Sequence, residues 1–211
     1  MAHPRLIRRA AFLSACAAFA CAGAPPPRPA AKTSPPPPAP ALDDRGFGVV
    51  DSARFFVSFP LPHRSEWRVD DASGRWLVAT HLESKSVLLA RSWHEGSVMS
   101  PATCEAIARP WRKDLFGADP SALVERRPLA APEGYVGEVG YSVRKTSEAF
   151  GGVAIFVAAK VRRCLVLAYV TRADGEGAAS TIADRLALVT ARVFARTTER
   201  TVDDRVPGPA R

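Results

Sequence analysis

The sharpest chemistry the sequence offers lies in two cysteines in the body of the chain, Cys104 and Cys164. Cys104 falls in a series (Cys104, Ile107, Ala108, Trp111, Leu115) that recurs at helical spacing. Cys164 opens a run that alternates as a strand does, so both residues point inward. In an exported chain two such cysteines are expected to pair as a disulfide. Closing a loop of about 60 residues would stabilise the fold by roughly 4 kcal/mol on the chain-entropy account. The other arrangements are two separate buried thiols, or a Cys104–His94 nucleophile pair near a helix start. No C-x-x-C or zinc-ligand spacing surrounds either cysteine, so no metal or cofactor is expected.

The remaining candidates are weaker. Trp93-His94-Glu95 begins like an H-E-x-x-H zinc motif, but Val98 stands where the second histidine belongs. His63 and His81 read as surface or hairpin histidines. Ser142-Val143-Arg144-Lys145 has the S-x-x-K spacing of a serine nucleophile with a lysine base. That chemistry needs a helix start, and on a strand an offset of three sends the two side chains to opposite faces. Gly175-Glu176-Gly177 stands between a strand and a helix, but Asp174 and Glu176 would repel a phosphate there, so it reads as a connector. Three basic doublets, Arg126-Arg127, Arg144-Lys145 and Arg162-Arg163, could form one patch for an anionic lipid or cell-wall polymer. The simpler reading is that they protect sheet edges and turns.

The elements that must position these groups follow from apolar periodicity. Phe55–Phe59 is a compact aromatic and β-branched strand stopped by Pro60 and Pro62. Trp76–Leu82 and Ser86–Trp93 read as a hairpin around Glu83-Ser84-Lys85. Gly134–Lys145, Gly152–Arg162 and Cys164–Arg172 follow, and the last two are joined too tightly for anything but antiparallel pairing. Val153, Ile155, Val157 and Val161 share one side of their strand, and Ala154, Phe156 and Ala158 the other. An antiparallel strand apolar on both sides needs cover on both. One covering helix is announced by Ser100 as N-cap and Pro101 at its first position, is interrupted by Pro110, and ends before Gly117. A second runs from about Ser180 to Ala195 with Ile182, Leu186, Val189 and Val193 as its stripe. The four tryptophans, Trp67, Trp76, Trp93 and Trp111, read as core residues.

The 211 residues carry a formal net charge of +8, which would suit a polyanion binder if it lay on the folded part. It does not. Arg5, Arg8, Arg9, Arg28 and Lys32 occupy the first 42 residues without a single acid, and the rest carries 24 basic against 21 acidic residues. Nucleic acid is therefore not an expected partner. Arg5, Arg8 and Arg9 precede the eleven-residue, mostly apolar run Ala10–Ala20, too short to span a bilayer but suited to a secretory signal. Ala18-Phe19-Ala20-Cys21 resembles a bacterial lipobox, and the resemblance implies acylation of Cys21 and cleavage just before it. Leu13-Ser14-Ala15-Cys16 fits the four-letter pattern better, but only six residues separate Arg9 from Cys16, so Cys21 is the expected site and Cys16 the runner-up. Ordinary cleavage after Ala20-Cys21-Ala22 would instead give a soluble secreted product. Nine of the sixteen residues from Pro25 to Pro40 are proline, which favours an extended tether reaching roughly 50 Å.

The FFVSFP segment (Phe55–Pro60) with Trp67 after it, the early hairpin, the middle helix and the terminal hairpin plus helix resemble the PsbP-like proteins. The resemblance implies an α+β fold: a largely antiparallel sheet flanked by helices on both faces in a three-layer α/β/α sandwich. It also implies an envelope protein without an obvious active site. The expected organisation is a signal peptide at 1–20, an anchored proline-rich tether at 21–45, the sandwich domain at 46–197 and a disordered tail at 198–211. The expected function is a non-enzymatic lipoprotein of the bacterial envelope. Its partners would be the membrane, through its acyl chains, and an unidentified envelope protein, lipid or cell-wall component. Ala22 rather than an acid after Cys21 slightly favours the outer membrane. An exported hydrolase and a carrier of an apolar ligand are the rival functions.

Overall fold

Ala149–Lys160 and Arg163–Asp174 are apolar at almost every position, so the strands they form demand cover on both faces. In the computed structural model they stand at the centre of a seven-stranded antiparallel sheet. The structure describes residues 46–113, 125–145 and 149–200. The signal with Cys16 and Cys21, the proline-rich tether, Leu115, Gly117 and the tail from 201 lie outside the described residues.

In chain order the strands are β1 (Phe47–Ser52), β2 (Val57–Pro62), β3 (Arg68–Asp70), β4 (Leu77–His81), β5 (Ser86–His94), β6 (Glu125–Leu129), β7 (Val136–Lys145), β8 (Ala149–Lys160), β9 (Arg163–Asp174) and β10 (Thr198–Glu199). The helices are α1 (Pro101–Ala108) and α2 (Ala178–Arg192). The large sheet has the order β3-β4-β5-β9-β8-β7-β6, and a second sheet has the order β1-β2-β10. The fold is α+β, mostly antiparallel sheet with two helices among the described residues.

The alternation read from the sequence sorts the core into two clusters. Ala154, Phe156 and Ala158 of β8 with Leu165, Leu167 and Tyr169 of β9 pack with Ile182, Leu186 and Val189 of α2. Val57, Phe59 and Leu61 of β2 join the same cluster, so that face is covered by a helix and the small sheet together. Ile155, Val157, Ala159, Cys164, Val166 and Ala168 pack instead with Cys104 and Ala108 of α1. Gly152 permits the approach of α2, since a Cβ there would lie 2.5 Å from Ile182 Cγ2.

Local signals explain the element ends. Ser100 Oγ accepts the Thr103 N–H at 3.2 Å, and Pro101 opens α1. Pro110 falls in a 3-10 turn, Arg109–Trp111, that ends the helix. Three details depart from expectation. Val161 is not on a strand face but in the two-residue turn between β8 and β9, where it is exposed. The FFVSFP strand begins at Val57 and runs through Pro60 and Pro62, because β10 pairs β2 only at Val57 and Ser58 and leaves a free edge beyond, where proline is tolerated. Trp67 and Trp76 are core residues, but Trp111 is 37% exposed, set edge-on to Trp93 at 5.0 Å with the Arg91 guanidinium 4.0 Å from its ring centre.

Candidate functional site

The β4–β5 hairpin closes with a four-residue loop, Leu82 to Lys85, between the paired residues His81 and Ser86. The side chain of His81 turns back over this loop. Its Nδ1 accepts the Ser84 N–H at 3.1 Å, so Nδ1 carries the lone pair and Nε2 the proton in the neutral ring. Nε2 then donates to Glu66 Oε2 at 2.9 Å, reaching the 3-10 turn Arg64–Glu66 that follows β2. Trp67 packs against the ring, their centroids 5.2 Å apart, and its own Nε1–H donates to Pro62 O. Beneath the loop, Ser84 Oγ meets Ser86 Oγ at 2.8 Å, and buried Ser86 meets Tyr169 OH and Thr171 Oγ1, each at 2.9 Å. From α2, Arg185 Nη1 lies 2.8 Å from Ser84 O and 3.0 Å from both Thr171 Oγ1 and Arg172 O.

These groups border a cleft of about 420 Å³ whose lining includes His63, Glu66, Trp67, His81, Glu83, Ser84, Tyr169, Arg185 and Leu188. It abuts a smaller apolar hollow of about 30 Å³ among Leu61, Leu88, Leu188, Val189 and Val193. That hollow has room for about one water molecule, not an acyl chain. Among the described residues neither Glu83 nor Arg185 takes part in an ion pair.

Two reactive readings of the cleft can be weighed on geometry. Glu66, His81 and Glu83 place ligand atoms within 4.8 Å of one another. A metal on Nε2 would require the proton on Nδ1, where it would oppose the Ser84 N–H already aimed at that atom. Ser84 Oγ, 2.8 Å from Nδ1, also completes a serine–histidine–carboxylate chain through Glu66. In a serine hydrolase the nucleophile's own N–H commonly faces the developing oxyanion; here it is spent on the imidazole. The arrangement does the work of a hairpin cap, with His81 bracing the loop against the Arg64–Glu66 turn.

Cys104 and Cys164 are joined by a disulfide with Cα atoms 5.6 Å apart, tying α1 to β9, and both are fully buried. His94 Nε2 accepts from Arg163 Nε at 3.1 Å, and the disulfide leaves Cys104 no free thiol to pair with it. Ser142 is buried and Lys145 is exposed over Phe150, on opposite sides of β7 as strand geometry requires. Gly175 and Gly177 both have positive φ and form the β9–α2 connector. The basic doublets do not converge. Arg144 lies opposite Gly151 and Arg163 opposite Lys160, nine residues apart along β8, or about 30 Å. Arg126 is bound to Glu105, Arg127 lies against Tyr141, and Arg162 occupies the β8–β9 turn. Strand register keeps apart doublets that look alike in the sequence.

Nothing in the sequence marks Glu66 or Arg185 as part of a site, and there Ser84 reads only as a turn residue and His81 as a surface or hairpin histidine. The local signal was His81-x-x-Ser84-x-Ser86 around a turn; Glu66 and Arg185 arrive from distant segments that no spacing links to it.

No family model matches the chain, and no curated protein matches it. One solved structure to which it is similar is a Bacteroides thetaiotaomicron protein determined at 1.50 Å, with 6% identity and a TM-score of 0.42. The match covers 70% of this chain and 46% of that one, so the chain spans less than half the length of its neighbour. Among the described residues no helix is long and apolar enough to cross a membrane.

Proposed function

We propose that the chain is a bacterial envelope lipoprotein, acylated at Cys21, that presents a PsbP-like α/β/α domain on a proline-rich tether for a non-enzymatic binding or assembly role. The observation that carries the reading is the buried Cys104–Cys164 disulfide, because such bonds persist in oxidising compartments outside the cytosol. It agrees with the signal-like Arg5–Ala20 segment and the small residues before Cys21. Three acyl chains would hold the protein durably at a membrane without a spanning helix, each buried CH2 contributing about 0.8 kcal/mol. With Cys104 in the disulfide, the Cys104–His94 pair offers no free thiol as nucleophile for the rival hydrolase reading.

Fractionation of cells expressing the full chain tests the anchor. Cys21→Ser is expected to abolish lipid labelling and accumulate an unprocessed precursor, while Cys16→Ser leaves both labelling and processing intact. Unchanged lipid labelling in Cys21→Ser would move the anchor to Cys16; no labelling of the wild-type chain would remove it.

A further inference from the structure

We infer that the cleft between the β4–β5 hairpin, the Arg64–Glu66 turn and α2 binds a zwitterion of amino-acid or dipeptide size bearing an apolar side chain. This deepens the binding role proposed above and names its ligand class.

The charges of the lining select the ligand. Arg185 brings a cation that is only partly exposed and has no carboxylate partner among the described residues. Glu83 brings a carboxylate with no ion pair there, and Glu66 a second one whose hydrogen bond comes from an imidazole. A purely apolar ligand would strip water from these charges without replacing it. A simple anion would meet Arg185 but also Glu66 and Glu83, and a simple cation would meet the reverse conflict. A molecule with an ammonium at one end and a carboxylate at the other answers both. The ammonium belongs beside Glu66 and Glu83, and the carboxylate beside Arg185.

The walls supply the rest. Trp67, Pro62 and Leu188 give an apolar surface, and the adjoining hollow among Leu61, Leu88 and Val193 receives no more than a methyl-sized tip. The volume, about 420 Å³, suits a small molecule and not a folded protein. The polar groups are also held in place before binding. Three oxygens fix Arg185 Nη1, and the Ser84 N–H and Glu66 fix the ring of His81, so little ordering is left for the ligand to drive.

The test titrates full-length protein in detergent with the dipeptide Ala-Leu, its N-acetyl form and its C-terminal amide. The free dipeptide is expected to bind at least about tenfold more tightly than either blocked form, the scale of one charge-assisted hydrogen bond. In Glu83→Gln, at an exposed loop position that leaves the fold alone, the penalty for N-acetylation should shrink while that for amidation stays. In Arg185→Gln the pattern should reverse, and circular dichroism with a melting curve checks that its hairpin remains in place. Equal binding of free and blocked peptides, or no binding of Ala-Leu, Leu-Ala or leucine up to about 10 mM, overturns the inference. The anchor is read separately from the lipid on Cys21, so failure here leaves that reading standing and the converse holds too.

Discussion

Glu105, on α1, lies almost wholly buried between two arginines. Arg126 reaches both of its oxygens, at 2.6 and 2.8 Å, and Arg109 reaches Oε1 at 2.5 Å. Burial alone would raise its pKa; the hydrogen bond and charge of Arg126, with those of Arg109, outweigh burial and hold the carboxyl below its ordinary 4.5. Because the folded value is the lower one, this group adds stability above about pH 4.5 that is lost as pH falls through the folded pKa. Denaturant unfolding should show that loss on acidification, and Glu105→Gln should flatten this part of the profile. Arg126→Ala leaves Glu105 with Arg109 as its remaining arginine and should cost about 2 kcal/mol at pH 7, read by the same unfolding curves. The sequence showed Arg126 only as half of a basic doublet. Its partner stands 21 residues earlier, and nothing in either segment's composition marks them as a pair. The cleft was hidden for the same reason: His81, Ser84 and Ser86 are neighbours in the chain, but Glu66 and Arg185 join them only through folding.

At the scale of elements, local chemistry was easier to read than pairing. Ser100 and Pro101 marked the start of α1, the tight Lys160–Arg163 link marked the β8–β9 hairpin, and the apolar stripe marked α2. The small sheet was not legible, because β10 joins β2 from the far end of the domain and contributes only two residues. Two substitutions test how these elements are held. Ser100→Ala removes the side-chain acceptor for the Thr103 N–H and should destabilise by about 1 kcal/mol in thermal or denaturant unfolding. Gly152→Ala places a methyl against Ile182 and Leu186 and should lift α2 from β8, at a cost of roughly 1–3 kcal/mol. If it instead raised the melting temperature, the packing of α2 on that strand would be looser than described.

For the whole molecule, the net charge of +8 is mostly a record of the N-terminal segment, since 24 basic residues face 21 acidic ones after residue 42. The disulfide binds the α1 side of the sheet to the central strand across 60 residues, so reduction should lower stability by about 2–5 kcal/mol, seen as a fall in melting temperature with reductant. The disulfide and the anchor we propose would together place the domain outside the cytosol. The most direct measurement is the intact mass of the protein purified from a bacterial host with its own N-terminus, before and after reduction. The expected result is a chain that begins at Cys21 and carries acyl mass, gaining two hydrogens when Cys104–Cys164 is reduced. An unlipidated chain beginning at Gly23, or one whose Cys104 and Cys164 alkylate without reduction, would contradict the account.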